Sequence, residues 1–137
     1  EDIQSGSLPP VAFYKPPGTL NQHPGSGDFD KADTHIADLV ARLQASAQWQ
    51  NMLVIVTYDE NGGIWDHVAP PQADMWGPGT RVPAIIISPY AKKAYVDSAP
   101  YDTTSIVKFL TRRFGLTPLA GVRKNVGDLS NSLDMSP

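Results

Sequence analysis

Asp59 and Glu60 stand side by side in the run Tyr58-Asp59-Glu60-Asn61-Gly62-Gly63, directly after the apolar segment Met52–Tyr58. Two adjacent carboxylates at the mouth of a low-dielectric sheet repel each other, unless a cation neutralises them or one stays protonated. A divalent metal is the simplest resolution. Hard oxygen donors suit magnesium, calcium or manganese, and a flexible Gly62-Gly63 turn would let neighbouring side chains converge although strand geometry sends them apart. An Asp-Glu pair before Asn-Gly-Gly is also ordinary turn chemistry, so spacing alone leaves both readings open. The segment does not reproduce the ligand positions of an EF-hand loop.

Three histidines surround this cluster in sequence. His23, between Gln22 and Pro24, would either donate to an anionic oxygen or tie down its own loop, and its neighbours favour neither. His67 follows Asp66, which would orient its ring, with a structural hydrogen bond the simpler role. His35 reads as a solvated helix residue. Trp65 and Trp76 follow the cluster closely and would either pack or line a pocket. Lys92-Lys93 and Arg112-Arg113 read as solvated charges. Neither a glycine-rich phosphate loop nor a Gly-x-Ser-x-Gly elbow is present.

These groups need elements to carry them. The continuous β-branched run Met52–Tyr58 reads as a strand buried on both faces, a pattern typical of a parallel sheet. In open sheets of that kind, ligands bind beyond the carboxyl ends of the strands, where Asp59 and Glu60 lie. Val82–Ser88 reads as another strand, with Pro83 at its start. Ile36, Leu39, Val40 and Leu43 at helical spacing predict a helix over about Lys31–Ala47, capped by Asp28 or Asp30. Asp102 or Thr103 caps a second helix, whose apolar face is Ile106, Val107, Leu110 and Phe114 and whose end is Gly115. The proline-rich first 28 residues offer one short candidate strand, Val11–Tyr14. The tail from Thr117 to Pro137 reads as irregular and peripheral. Strand and helix alternate, the α/β pattern.

The whole chain excludes several classes. Its 137 residues make about one domain, with 41% hydrophobic and 18% charged residues. A net charge of −3 without a basic block argues against nucleic-acid or anionic-membrane partners. The longest apolar run, Met52–Val56, is far short of the ~20 residues that span a bilayer. The absence of Cys excludes disulfides, thiolate zinc sites and cysteine nucleophiles. Glu1-Asp2-Ile3-Gln4 carries no basic region leading into an apolar stretch, so no signal peptide is expected there. Gly 11 and Pro 13 place much of the chain in loops.

Read as ordered blocks, the sequence resembles a known family. The blocks are Thr57-Tyr58-Asp59-Glu60-Asn61-Gly62-Gly63-Ile64-Trp65-Asp66-His67-Val68-Ala69-Pro70-Pro71, Trp76-Gly77-Pro78-Gly79-Thr80-Arg81-Val82-Pro83, Ser88-Pro89-Tyr90-Ala91-Lys92-Lys93 and Tyr101-Asp102-Thr103-Thr104-Ser105-Ile106. Together they are similar to the C-terminal part of the bacterial phosphoesterase family that holds the acid phosphatases and the non-specific phospholipases C. The resemblance runs from about Gln22 to Asp134.

What the resemblance implies is an alkaline-phosphatase-like α/β sandwich, with a mainly parallel sheet flanked by helices and incomplete in this chain. It implies metal-dependent hydrolysis of a phosphoester substrate, with a divalent metal ion as cofactor, and a secreted or periplasmic location. Asp59 and Glu60 match the family's paired metal ligands. His23 matches the histidine of a His-Pro segment beside the bound phosphoryl group, while His67 and Asn61 give outer support to the ligands. Asn61 stands where many of the phospholipases carry His, which favours the acid phosphatase branch.

A Glu-Asn segment and a nucleophilic Ser or Thr, both expected of the family, have no counterpart here. The chain thus reads as a single domain of residues 1–137 that needs a partner chain or, as favoured, as the C-terminal portion of a larger phosphoesterase domain, with self-association through exposed sheet edges as one consequence. The alternative is a non-enzymatic metal-binding or interaction module that retains the fold without the nucleophile.

Overall fold

The computed structural model describes residues 1–135 and divides at residue 90 into two compact units. The first, Glu1–Pro89, opens with a single helical turn, α1 (Asp2–Ser5), followed by the long helix α2 (Phe29–Gln44). Asp28 caps α2, its carboxylate accepting the Lys31 N–H at 3.1 Å, which satisfies one of the donors a helix start leaves open. The helix ends at Gln44, three residues before the sequence expectation, because the chain tightens into a Ser46 N–H to Leu43 carbonyl bond. Gln48 then fastens the N-terminal segment, accepting from the Leu8 N–H at 3.0 Å and donating to the Leu8 carbonyl at 3.1 Å.

A 3-10 turn at Trp49–Asn51 leads into β1 (Val54–Thr57), which pairs with β2 (Ala84–Ile87). The pairing is antiparallel, with Val54 opposite Ile87 and Thr57 opposite Ala84. This corrects the direction read from Met52–Tyr58. A parallel neighbour needs a crossover, usually a helix, and residues 58–83 contain none, so the chain returns beside itself. The apolar run signalled burial and carried no information about direction. Its residues Val54, Ile55 and Val56 are half-buried, because a two-stranded sheet leaves its faces partly open. The wider α/β class holds; a parallel-sheet sandwich is not formed among the described residues.

Val11–Tyr14 forms no strand. Prolines at 9, 10, 16 and 17 flank it and deprive a ladder of donors, and Phe13 stands 84% exposed. Tyr14 is used differently: its hydroxyl lies 2.7 Å from His35 Nε2, so His35 is tied to the N-terminal segment rather than simply solvated.

The second unit, from Tyr90 on, is built on α3 (Thr103–Phe114). Asp102 and Ser105 cap its start reciprocally, and Gly115 closes it at φ 62°, a left-handed conformation that suits glycine. Through residue 135 the tail is irregular, as its sequence implies, while Ser136 and Pro137 lie outside the described residues; it is not peripheral, since Leu129 and Ser132 are buried. Lys108 Nζ donates to the Lys124 and Val126 carbonyls, Arg123 pairs with Asp102 at 2.6 Å, and Arg112 pairs with Asp128 at 2.7 Å. At Gly127 a Cβ would sit 2.4 Å from the Tyr101 ring, which leaves room only for glycine. Among the described residues no helix is long and apolar enough to cross a membrane.

Candidate functional site

The end of β1 delivers the chain into a tight turn that is held by its own side chains. Glu60 Oε2 accepts the Gly62 N–H at 2.6 Å. Asn61 Oδ1 accepts the Gly63 N–H at 3.2 Å, while its Nδ2 donates to the Ile64 carbonyl at 3.1 Å. Gly62 and Gly63 take φ 61° and 74°, left-handed values that side chains rarely tolerate, so the two glycines are what lets the turn close. Asn61, expected as outer support, has its amide taken up within this turn.

Asp59 points outward. Lys15 Nζ donates to its Oδ2 at 3.0 Å, with both side chains largely exposed. That hydrogen bond and the lysine charge hold the Asp59 carboxyl below its usual range, so it is ionised at neutral pH.

The His23 segment reaches the same turn. A Cβ built at Gly62 would lie 3.2 Å from Pro24 Cδ, so the His23-Pro24 loop packs directly on the backbone that follows the carboxylate pair. The loop is a preformed hook: Asn21 Oδ1 accepts the His23 N–H at 3.0 Å, and the His23 carbonyl accepts from Ser26 and Gly27 N–H. Gly27 is required there, since a Cβ would fall 2.0 Å from the Asn21 carbonyl oxygen. The exposed His23 ring lies with Nδ1 2.8 Å from the Pro24 carbonyl. A carbonyl only accepts, so Nδ1 carries the proton and Nε2 is left for other partners.

Beyond the turn, Asn61, Ile64, Trp65, His67, Pro70 and Thr80 line an open cavity of about 530 Å³. His67 is exposed, its Nδ1 3.9 Å from Asp66 Oδ1 and its ring tilted against Trp65 at a centroid distance of 6.4 Å. Asp66 itself is committed to Arg81, whose guanidinium holds the Asp66 carboxyl well below the usual carboxylate range. Neither the Asp66–Arg81 fork nor the Lys15 contact was legible in the sequence, because each joins residues that no local period relates.

The donor set suits a hard divalent cation in kind, since Asp59 and Glu60 offer carboxylate oxygens from consecutive positions. It does not suffice in number. Among the described residues no group of three or more His, Asp or Glu side chains gathers as a cage.

Comparison with known proteins matches residues 1–117 to the model of the Phosphoesterase family. The chain is 28% identical to the non-hemolytic phospholipase C of Pseudomonas aeruginosa, over 98% of this chain and 25% of that protein. It is 32% identical to phospholipase C A of Mycobacterium tuberculosis, over 84% of this chain and 27% of the relative. The non-specific phospholipase C6 of Arabidopsis thaliana is 28% identical over 85% of this chain. The chain spans about a quarter of the length of the curated relatives it matches.

Proposed function

The chain belongs to the phosphoesterase family, and from that premise we propose that it is the C-terminal portion of a larger domain that hydrolyses phosphate esters with the help of a divalent metal. The observation that carries the proposal is the seating of Pro24 on Gly62, which brings the His23 loop against the turn that follows Asp59 and Glu60. In this reading the two carboxylates are half of a metal site, and the remaining ligands and the Ser or Thr nucleophile belong to the part of the domain outside these residues. The chain spans only about a quarter of the relatives named above, which supports that reading.

When bound, a divalent cation would supply Lewis-acid polarisation of the phosphate oxygens. The residues of this chain do the rest by position. Asp59 and Glu60 bring two negative charges to the start of the turn, where the Gly62 N–H holds the Glu60 carboxylate and the left-handed glycines set the backbone. His23, with Nδ1–H held by the Pro24 carbonyl, would direct Nε2 at the ester. In its protonated form Nε2–H donates to the departing oxygen and offsets the charge that develops there.

The family resemblance also supports a secreted or periplasmic location. The open edges of β1 and β2 would pair with further strands of the complete domain or, in their absence, with another copy of the chain. Asn61 favours a phosphatase, whereas the relatives carry phospholipase C names; both perform the same bond cleavage on different leaving groups.

The test uses the full-length protein. It should hydrolyse p-nitrophenyl phosphate only with divalent metal present, and Asp59→Ala or Glu60→Ala should remove at least about a thousandfold of that turnover. Full activity in both variants would overturn the proposal. Comparing that substrate with phosphatidylcholine separates the two branches. A protein that binds metal and hydrolyses neither would instead be the non-enzymatic module.

A further inference from the structure

The 26 residues that join β1 to β2 have almost no regular structure, with only an isolated bridge between Asp74 and Gly77. One carboxylate closes most of this loop. Asp66 Oδ2 accepts from the Arg81 backbone N–H at 3.2 Å and from Arg81 Nε at 2.9 Å. Its Oδ1 accepts from Arg81 Nη2 at 2.8 Å and from the Val68 N–H at 3.0 Å. Four donors converge on one side chain that is 10% exposed, while the arginine lying over it is 60% exposed.

A two-point fork of this kind fixes orientation as well as distance, because guanidinium and carboxylate must lie in one plane. Its ends are the informative part. Trp65 and His67 flank Asp66, and Thr80 precedes Arg81, so the fork brings the two separate stretches of the cavity wall together. Asn61, from the turn after the carboxylate pair, lines the same cavity. The clamp therefore sets the distance between that turn and the far wall.

We propose that Asp66 and Arg81 are positioning residues for this site: their fork holds Trp65, His67 and Thr80 as a fixed wall beside the Asn61 turn, and so orients the organic part of the ester without touching the reacting atoms. This rests on the phosphoester reading above. A wall of this type contributes to substrate and transition state alike, so its loss raises KM and spares kcat.

The experiment compares Arg81→Ala, Arg81→Lys and Asp66→Asn in the full-length protein, each checked for a retained far-ultraviolet dichroism spectrum. Arg81→Ala keeps the Val68 and Arg81 backbone donors on Asp66, so it tests the fork without abandoning the carboxylate. The expected result is a rise of about tenfold in KM for p-nitrophenyl phosphate with kcat within about twofold, and an intermediate value for Arg81→Lys, which keeps one charge but not the fork. Chymotrypsin cleavage after Trp65 and Trp76 should accelerate in parallel, by about tenfold in Arg81→Ala. Unchanged KM with faster cleavage would overturn the positioning role and leave a merely structural clamp. Changed KM with unchanged cleavage would overturn the loop-holding mechanism. A wild-type protein without turnover would overturn the functional reading instead, and the cleavage rates would still judge whether the fork holds the loop.

Discussion

Asp59 and Glu60 in the first unit are held by Lys15 and by the Gly62 N–H respectively, while Asp97 in the second unit is surrounded by donors. The Ala99 N–H, the Tyr101 hydroxyl, Asn131 Nδ2 and the Ser132 hydroxyl all reach Asp97. Asp102 is similar, with Thr104 N–H and hydroxyl on one oxygen and Arg123 on the other. Asp97 thus has a donor for each of its four acceptor positions, and Asp102 receives at least three, so both tie segments of the second unit together. Those at the end of β1 are exposed and accept one described hydrogen bond each, Asp59 from Lys15 and Glu60 from the Gly62 N–H, which leaves acceptor positions open. The same side chain serves structure or chemistry according to how many of its lone pairs the fold has already used. Asp66 shows that the division is not between units, since it lies in the first and is saturated by Arg81 and Val68.

Deleting one carboxylate of each kind separates their roles in activity and in stability. In the full-length protein, Asp59→Ala should lose about a thousandfold of turnover with an unchanged melting temperature. Asp97→Ala should do the reverse, removing about 2–4 kcal/mol of stability, because it leaves the Tyr101, Asn131 and Ser132 groups without their acceptor. Urea unfolding checks the second expectation. A stable Asp97→Ala variant would show that the network is decoration.

A smaller effect follows from the same network through pH. Partial burial pushes the Asp97 carboxyl up, but the bonds from Tyr101, Ala99, Asn131 and Ser132 outweigh it and bring the value from 3.8 down to about 2. A carboxyl depressed in the folded state adds stability that is complete above its unfolded value and disappears as pH falls through the folded one. Stability of the second unit should therefore decline between about pH 4 and pH 2, by about 2 kcal/mol from Asp97. Asp128, likewise held at about 2 against partial burial by Arg112 and Ser130, adds to the decline in the same window. Urea midpoints measured at pH 5 and pH 2.5 test this, and the slope should flatten in Asp97→Ala.

What could be read from sequence were the parts governed by local rules. The caps at Asp28 and Asp102, the glycine at the end of α3 and the apolar stripes follow from neighbours three or four residues away. The turn after β1 was legible for the same reason, since Asn61-Gly62-Gly63 is its own turn signal. Strand direction was not, because the run Met52–Tyr58 reports how apolar its surroundings are and nothing about which way its partner runs. The contacts that assemble the site were also hidden. Pro24 on Gly62, Lys15 on Asp59 and Arg81 on Asp66 bridge 38, 44 and 15 positions, and no periodicity joins such pairs. The tail shows the limit most plainly, because Gly127 against Tyr101 and Arg123 on Asp102 fix a segment whose composition reads as loose.

The least effect is expected at Lys15, and its smallness is what makes it informative. Its ammonium and the Asp59 carboxylate are 79% and 72% exposed, so water screens the pair and both side chains lose rotamer freedom in forming it. Lys15→Ala should leave the melting temperature within about 1 °C. The lysine nevertheless occupies the oxygen that a cation would use, so its removal should tighten binding of manganese by the full-length protein, by up to about fivefold in a calorimetric titration. Weaker binding would mean that Lys15 holds Asp59 in a productive orientation rather than competing for it. The open carboxylate would then be less free than its exposure implies, and the contrast with Asp97 would become one of degree.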